Sequence, residues 1–311
     1  MERERENRPY AAVVGGVNID IGGQSFQPLI LSDSNPGRVR ISPGGVGRNI
    51  AHNLRLLGLP VRLIAAFGED LYADVIRRSC REIGIDTEDA VTFPGEATST
   101  YLYVADHTGE MHLAVSDMEI CRFLTPQVLK EKLPVIRGAG ALVLDTNIPA
   151  ETILWLCDQV RVPIFADPVS VSKAEKLRPV LPALQAMKPN RLEAELLTGI
   201  RICDERDLNR AADALLETGL RQVFITLGKE GVLAADGKKR VRLPALPEVP
   251  VNTTGCGDAF MAALVWAYFR GLDVEESARG GLAAAVIAAA ARETVNADMG
   301  EEKLLQKMKQ P

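Results

Sequence analysis

The stretch ALVLDTNIPAETILWLCDQVRVPIFADPVS, residues 141–170, contains two short apolar runs on either side of a longer segment. The runs ALVLD and VPIFAD are short and end in polar residues, which is typical of buried strands. The segment ETILWLCDQV between them has the length of a helix. A strand, a helix and a second strand in this order form a unit whose strands lie parallel in one sheet.

The same alternation of strands and helices extends along most of the chain. It predicts an α/β fold with a central, mainly parallel sheet flanked by helices. Further strands are expected at 10–17, 61–68, 187–190, 222–228 and 231–237. Further helices are expected at 46–57, 70–84, 192–199, 207–219, 259–271 and 280–291.

Two segments, about 20–43 and 95–117, interrupt this alternation with patterns typical of hairpins. In the first, QPLILSD (27–33) and RVRIS (38–42) are predicted strands joined by the turn SNPG. In the second, STYLYVAD and MHLAVSD are predicted to pair around HTGE. Since no low-complexity linker separates these segments from the rest, we expect one domain, residues 1–311, with a small β-sheet lid formed by both insertions.

Composition excludes several classes of protein. The chain has 311 residues, of which 47% are hydrophobic and 25% charged, as in ordinary soluble domains. A net charge of −5 without a basic run argues against partners that are nucleic acids or anionic membranes. The five cysteines lack disulfide or zinc spacing, which favours a reducing compartment. The charged start MERERENR lacks the apolar core of a signal peptide, so we expect a cytoplasmic protein with a frayed first segment.

The strongest local signal for chemistry is NTTGCGDAF, residues 252–260. Gly255 and Gly257 permit a tight turn and a close approach to a ligand, and an apolar helix follows. The start of this helix would attract an anion, and Asp258 lies beside it. A phosphate site next to a carboxylate suits phosphoryl transfer to an alcohol, with the carboxylate accepting the hydroxyl proton. The alternative is a capped helix start without catalytic function.

Two N-terminal motifs point to a polar ligand. In PGGVGRN, residues 43–49, glycines open a helix and Asn49 is a candidate for contact with substrate. The motif fits neither a Walker phosphate loop nor a dinucleotide fingerprint, and a simple turn is the alternative. In VNID, Asn18 and Asp20 follow a buried strand at the edge where α/β sheets bind ligands. Asp20 could bind two sugar hydroxyls, or it could cap a turn.

Two motifs in the second half of the chain suggest a nucleotide. In KPNRLEAE, Asn190 and Glu193 lie where a strand passes into a helix, with the spacing to hold hydrated Mg²⁺. The alternative is a capping box, which the local pattern favours. In ITLGKEG, residues 225–231, the glycines would let a nucleotide lie against the backbone, and an ordinary β-turn is the alternative.

Together, GGVGRNIAHNLRLLG and NTTGCGDAF resemble, in this order, the two signatures of the PfkB (ribokinase-like) family of sugar and nucleoside kinases. The resemblance extends from about Tyr10 to the alanine-rich helix and implies a ribokinase-like fold. Within the family, DSNPGRVRIS, DTNI and KPNRLEAE are most similar to the pseudouridine kinase subgroup. The resemblance therefore implies ATP- and Mg²⁺-dependent phosphorylation of the 5′-hydroxyl of pseudouridine. Another sugar or nucleoside as substrate is the first alternative, and a non-catalytic nucleoside-binding protein is the second.

The resemblance also implies a role for each matching residue. Asp258 matches the catalytic base, and the anion hole matches Gly255, Cys256 and Gly257. The sugar-binding positions match Asn18, Asp20, Gly45 and Asn49. Asn190 matches the phosphate region and Glu193 the Mg²⁺ region, and the nucleotide side matches Thr226, Gly228, Gly231 and Asn296. In the lid, the polar candidates for reading the base are Ser34, Asn35, Thr98 and Ser99.

Two positions depart from the family pattern. Cys256 stands where alanine is usual. Asn252 stands where a frequent aspartate helps to bind a monovalent cation, which puts a requirement for K⁺ in doubt.

The edge strands expected in the lid favour pairing with a second copy, so a homodimer through the lid is predicted.

Overall fold

The computed structural model describes residues 9–310. Residues 1–8 and 311 lie outside the described part, and the predicted frayed start of the chain lies there too. The strands are β1 Ala11–Val14, β2 Asn18–Ser25, β3 Gly37–Gly44, β4 Val61–Ile64, β5 Ala66–Phe67, β6 Val91–Thr92, β7 Thr100–Ala105, β8 Met111–Asp117, β9 Ala141–Asp145, β10 Ile164–Asp167, β11 Ala186–Met187, β12 Gln222–Thr226, β13 Val232–Asp236 and β14 Arg240–Leu243.

The helices are α1 Val46–Leu56, α2 Leu71–Ile83, α3 Pro126–Leu129, α4 Leu133–Arg137, α5 Ala150–Gln159, α6 Val171–Ala174, α7 Arg191–Thr198, α8 Glu205–Glu217, α9 Cys256–Phe269, α10 Val274–Ala289 and α11 Glu301–Met308. Short 3₁₀ segments occur at Glu119–Phe123, Lys130–Lys132, Glu175–Ala183 and Gly228–Glu230. The helix expected at 70–84 is present because the Asp70 side chain accepts a hydrogen bond from Ala73 N, and Gly84 ends the helix with a positive φ of 75°.

The central sheet has eight strands in the order β14-β13-β12-β11-β10-β9-β1-β4. The strands from β4 to β12 are parallel, and β13 and β14 are antiparallel at one edge. Strands β1 and β9 are buried along their whole length. Helices therefore cover both faces, as continuous apolar strands require. The predicted fold class, a mainly parallel sheet flanked by helices with a small separate sheet, is confirmed.

The small sheet has the order β3-β2-β7-β8, with β2 and β7 parallel and the outer pairs antiparallel. We call this sheet the lid. The predicted strand at 27–33 is wrong, because β2 covers 18–25 and residues 26–36 form an irregular connection. Ile30 and Leu31 of this connection are exposed, so its apolar residues gain no burial. In β2, Gly22 lies close to Tyr103, which explains a glycine inside a strand.

Parallel strands end at the same edge of the sheet, and this edge positions the site. Asp145 ends β9, Asp167 ends β10, and Lys188 follows β11 directly. Helix α9 begins near them at Cys256 and is buried on nearly all sides between α1 and α10. The lid strand β2 leaves the same edge after β1. Residues far apart in sequence are therefore brought to one cleft.

Candidate active site

Asp258 lies in the first turn of α9. The residue just before this helix has a backbone conformation that only glycine adopts easily. Gly255 precedes the helix with a φ of 83°, and a Cβ at this position would overlap Thr294. The first turn of a helix has N–H groups without an intrahelical partner, and the positive end of the helix dipole lies there. The helix begins at Cys256, three residues earlier than expected. Gly255, Cys256 and Gly257 therefore lie at an anion-attracting helix start beside the carboxylate.

The environment of Asp258 favours its protonated form. Burial, reinforced by the nearby Asp167, raises the pKa of Asp258 to about 8. Two groups oppose this rise in the pKa: Asn49 Nδ2 donates a 2.9 Å hydrogen bond to Asp258 Oδ2, and Lys188 supplies a positive charge. A carboxyl group with a pKa near neutrality is suited to exchange protons with a substrate hydroxyl.

Lys188 is paired with Asp167 beneath the cleft. Lys188 Nζ lies 3.3 Å from Asp167 Oδ2, and both side chains are buried. Among the described residues Asp167 Oδ2 has no well-aligned hydrogen bond, so the pair is held by charge. Burial lowers the pKa of Lys188, but attraction by Asp167, Glu193 and Asp258 outweighs this and leaves the pKa raised. Lys188 therefore remains a cation at the floor of the site.

Asp145 is a further buried carboxylate at this edge. Asp145 Oδ2 accepts a hydrogen bond from Gly16 N at 2.7 Å, and Asp145 Oδ1 accepts one from Asn147 N at 2.9 Å. Burial is the main cause of its raised pKa. Sequence reasoning did not select Asp145, Asp167 or Lys188. Asp145 and Asp167 are the last residues of buried strands, and Lys188 follows one directly. A polar residue at the end of a buried strand is the signal that selected Asp20, and the same signal applied to β9, β10 and β11 finds them.

The pKa of Asp258 predicts a pH dependence. The carboxylate accepts a proton only when ionised, so kcat/KM should rise with pH through about 8 and level off above it. The Asn49→Ala variant removes the hydrogen bond that lowers this pKa, so the midpoint of its kcat/KM profile should move to higher pH. The measurement is kcat/KM against pH for both proteins. Profiles that stay flat from about pH 6 to 9 would contradict this assignment of the base.

The sugar-binding candidates converge where the lid joins the central sheet. Asn18 Nδ2 donates a 2.6 Å hydrogen bond to Asp20 Oδ1, and burial raises the pKa of Asp20. Gly44 leaves room for the Asp20 carboxylate, which a Cβ would occupy. Gly45, with a φ of 99°, lies against the backbone of Gly16 and Val17. Since Asn49 is one helical turn further on and contacts Asp258, these residues connect the lid to Asp258.

Asp20→Ala should raise KM for the sugar-bearing substrate by about tenfold to a hundredfold, because a carboxylate that accepts hydroxyl hydrogen bonds is lost. KM for ATP should change little, since Asp20 lies on the lid strand and not beside the helix start. Initial rates with each substrate varied in turn provide the measurement. Asp33→Ala, at an exposed position in the connection 26–36, is the matched control. A change confined to the KM of ATP would place Asp20 on the wrong side of the cleft.

The capping box at the start of α7 is present. Asn190 Oδ1 accepts from Glu193 N at 2.9 Å, and Glu193 Oε2 accepts from Asn190 N at 2.8 Å. Glu193 is buried, and burial raises its pKa. Thr226 N donates to Pro189 O, which holds β12 against this turn. The local geometry of this motif is therefore that of a capping box. Glu193 also lies close enough to Lys188 to raise the pKa of that lysine.

The remaining nucleotide candidates lie in turns. Gly228 and Gly231 have positive φ values of 59° and 93°, and Gly231 lies directly against the backbone of Leu243 to Ala245. Asn296 is buried, and its side chain is engaged locally. Its Nδ2 donates to Ile287 O at 2.6 Å, and its Oδ1 accepts from Asp298 N at 2.9 Å. Asn296 therefore braces the loop after α10.

The four lid candidates for reading the base are in two different places. Thr98 and Ser99 are buried just before β7, where Thr98 Oγ1 accepts from Gly68 N. Ser99 Oγ makes no well-aligned hydrogen bond among the described residues, although it lies beside the Cys121 thiol. Ser34 is exposed in the connection 26–36, and the Asn35 side chain is bonded to Ile30 and Asp33 of the same connection. Asn35 is thus occupied in holding its own loop.

Residues 8–299 match the model of the pfkB family carbohydrate kinases. The chain is 37% identical over 295 residues to pseudouridine kinase of Escherichia coli K12, with 94% of each chain covered. The chain belongs to the pfkB family. It is therefore a phosphotransferase that acts on a hydroxyl group, and its match to pseudouridine kinase confirms the resemblance found in the sequence.

Solved structures agree with this membership. A putative sugar kinase from Clostridium perfringens is 31% identical, with a TM-score of 0.87 over 97% of this chain and 96% of that chain. Ribokinase of Arabidopsis thaliana, solved with ribose and ATP, has a TM-score of 0.86 over 97% of this chain and 99% of that one, at 22% identity. This second similarity shows the ribokinase-like fold. Within residues 9–310, no helix has the length and apolar character needed to cross a membrane.

Proposed function

We propose that this pfkB family member is a single-domain pseudouridine kinase that transfers the γ-phosphate of ATP to the 5′-hydroxyl of pseudouridine. The observation that carries the proposal is Asp258, a carboxyl group with a pKa of about 8 in the first turn of α9. The similarity to a pseudouridine kinase over 94% of the chain supports the choice of substrate.

In the proposed mechanism, Asp20 and Asn18 bind the ribose hydroxyls and direct the 5′-hydroxyl toward Asp258. Asp258 Oδ accepts the hydroxyl proton as the 5′-oxygen bonds to the γ-phosphorus of ATP and the bond from that phosphorus to ADP breaks. Asn49 keeps the carboxylate oriented. The turn Gly255–Gly257 and the helix start stabilise the charge of the transferring phosphoryl group. The lid excludes water from the cleft.

The residues at the floor of the site fit a magnesium ion. Carboxylate oxygens are its preferred protein ligands, and Glu193 with Asp167 supplies them beside the phosphate region. Mg²⁺ bound there, through water at Glu193, would neutralise the phosphate charges of ATP. Asn190, Thr226, Gly228 and Gly231 would line the nucleotide side, with Asn296 bracing it.

We propose that the enzyme does not depend on K⁺. Asn252 Nδ2 donates to Arg292 O at 2.9 Å, and Asn252 Oδ1 accepts from Thr254 N, so a neutral amide already joins the two loops. Replacing K⁺ by tetramethylammonium at constant ionic strength should leave kcat/KM within about twofold, which is less than 1 kcal/mol. An activation by K⁺ of tenfold or more would contradict this.

We also propose a homodimer formed through the lid, in the cytoplasm. The pairing registers place Ile41, Leu102 and Val115 in one row and Val39 and Leu113 in the next, on the same face. These five side chains are exposed in the single chain. An apolar face of this kind is suited to a second copy. Five free thiols fit a reducing compartment.

Product analysis tests the proposed function. Incubation of the full chain with pseudouridine and MgATP, followed by phosphorus NMR and mass spectrometry, should give pseudouridine 5′-phosphate and ADP. Formation of a phosphate ester only with ribose or an ordinary nucleoside would replace pseudouridine by that substrate. Binding without any transfer would favour a non-catalytic nucleoside-binding protein.

A further inference from the structure

A cavity of about 630 Å³, lined by both polar and apolar side chains, lies beside the sugar-binding residues, and none of the residues assigned above line it. Its lid side is formed by Ser116, within β8, and by Met118, directly after that strand. Its floor is formed by the loops after β9 and β10, including Asn147 and Ser170, and by Lys173 of α6. This volume is typical of sites for small organic ligands.

The cavity adjoins the sugar site across the loop after β1. A Cβ on Gly16 would lie 2.7 Å from Asn147 Nδ2, so the backbone there directly contacts Asn147. In the lid, Ser116 pairs with Tyr101, which pairs with Asp20. Two strand spacings separate Ser116 from Asp20, about 10 Å. A nucleoside is long enough to contact both.

Two polar side chains of the cavity are held in place. Lys173 Nζ donates a 2.6 Å hydrogen bond to Asn147 Oδ1, which orients the amide. Lys176 Nζ donates to Thr146 O and Ile148 O at 2.7 and 3.0 Å, which fixes the loop that carries Asn147. Lys173 retains two further N–H donors, and Asn147 Nδ2 retains a donor besides the one that it directs to Asp145. These groups can donate to carbonyl oxygens of a ring without rearrangement.

We propose that Lys173 and Asn147 are specificity residues that bind the carbonyl oxygens of a dioxopyrimidine base joined to the ribose. The proposal rests on the proposed function. A phosphate group is the less favoured occupant, because Lys176 is committed to two backbone carbonyls and Arg122 is paired with Glu119 at 3.1 Å. The cavity therefore offers a few directed donors and not the converging charges that suit a phosphate.

The test compares substrates with and without the base in the full-length enzyme. Lys173→Met keeps the length of the side chain and removes its donors. It should lower kcat/KM for pseudouridine by about 10- to 100-fold, the usual effect of losing a charged hydrogen bond. The kcat/KM for ribose should fall less than threefold. Calorimetry of pseudouridine binding without ATP should show the same loss, and Lys130→Met, at an exposed position outside the cavity, is the control.

The outcomes separate this inference from the proposed function. A wild-type enzyme that is active on ribose but not on pseudouridine would contradict both the proposed function and this inference. A wild-type enzyme active on pseudouridine, with unchanged kcat/KM in Lys173→Met, would overturn this inference alone. An equal loss for ribose and pseudouridine would also overturn it, because the effect would then not depend on the base. A preference for fructose 6-phosphate that Lys173→Met abolishes would assign the cavity to a phosphate instead.

Discussion

Asp258→Asn is expected to lower kcat by about 10²- to 10⁴-fold, the range typical for loss of a general base. The substitution keeps the size and shape of the side chain but removes the carboxylate that we propose as the proton acceptor. Asn49 and the helix start remain in place, so binding of the nucleoside should be largely retained. Steady-state kinetics and calorimetric titration with pseudouridine measure the two effects separately.

Asp273→Asn is the matched control for this variant. Asp273 also lies at a helix start, where it accepts from Glu276 N, but it is exposed. Its substitution should leave kcat unchanged. A folded Asp258→Asn protein with kcat near that of the wild type would remove Asp258 from the mechanism, whatever the fold similarity implies.

Pseudouridine should be preferred over uridine by more than about 200-fold in kcat/KM, which is the limit for discrimination by shape alone. The two nucleosides present the same ribose, so Asp20 and Asn49 cannot distinguish them. Pseudouridine has an additional ring N–H because its base is joined to the sugar through carbon. A site that accepts a hydrogen bond from this N–H leaves a buried acceptor unpaired with uridine, and such sites reject the wrong substrate by up to ~10⁴–10⁵-fold.

The measurement is kcat/KM for pseudouridine and for uridine at saturating MgATP. Ser99 Oγ is buried beside the Cys121 thiol and makes no well-aligned hydrogen bond among the described residues, so it remains a candidate acceptor, as do Thr98 and the lid backbone. Ser99→Ala should then reduce the preference, because kcat/KM for pseudouridine falls while kcat/KM for uridine stays at or rises above the wild-type value. Equal kcat/KM values for both nucleosides in the wild type would show that the enzyme does not distinguish their bases.

Local patterns predicted most of the central fold. Strands such as β9 are buried on both faces and therefore appear in the sequence as continuous apolar runs. Helix α2 carries its own start and stop signals in Asp70 and Gly84. The lid was predicted as a sheet from two hairpin-like segments, but its first strand was misplaced. The glycines of β2 weaken the strand pattern, and they are tolerated because Gly22 lies against Tyr103.

The environment of the site was only partly predictable, because it depends on how distant strands are aligned. Asp258 was selected from the glycines before it, which are local. The ion pair of Lys188 with Asp167 and the hydrogen bond of Lys173 with Asn147 each join residues more than twenty positions apart. These contacts follow from the order and register of parallel strands, which no short motif contains. The raised pKa of Asp258 has the same origin, since Asp167 contributes to it.

The most direct test of the central claim is release of ADP by the wild-type enzyme with pseudouridine, uridine, ribose, adenosine and fructose 6-phosphate, each over a range of concentrations at saturating MgATP. The account predicts the highest kcat/KM for pseudouridine, with uridine and ribose well below it. A higher kcat/KM for ribose, adenosine or fructose 6-phosphate would contradict it.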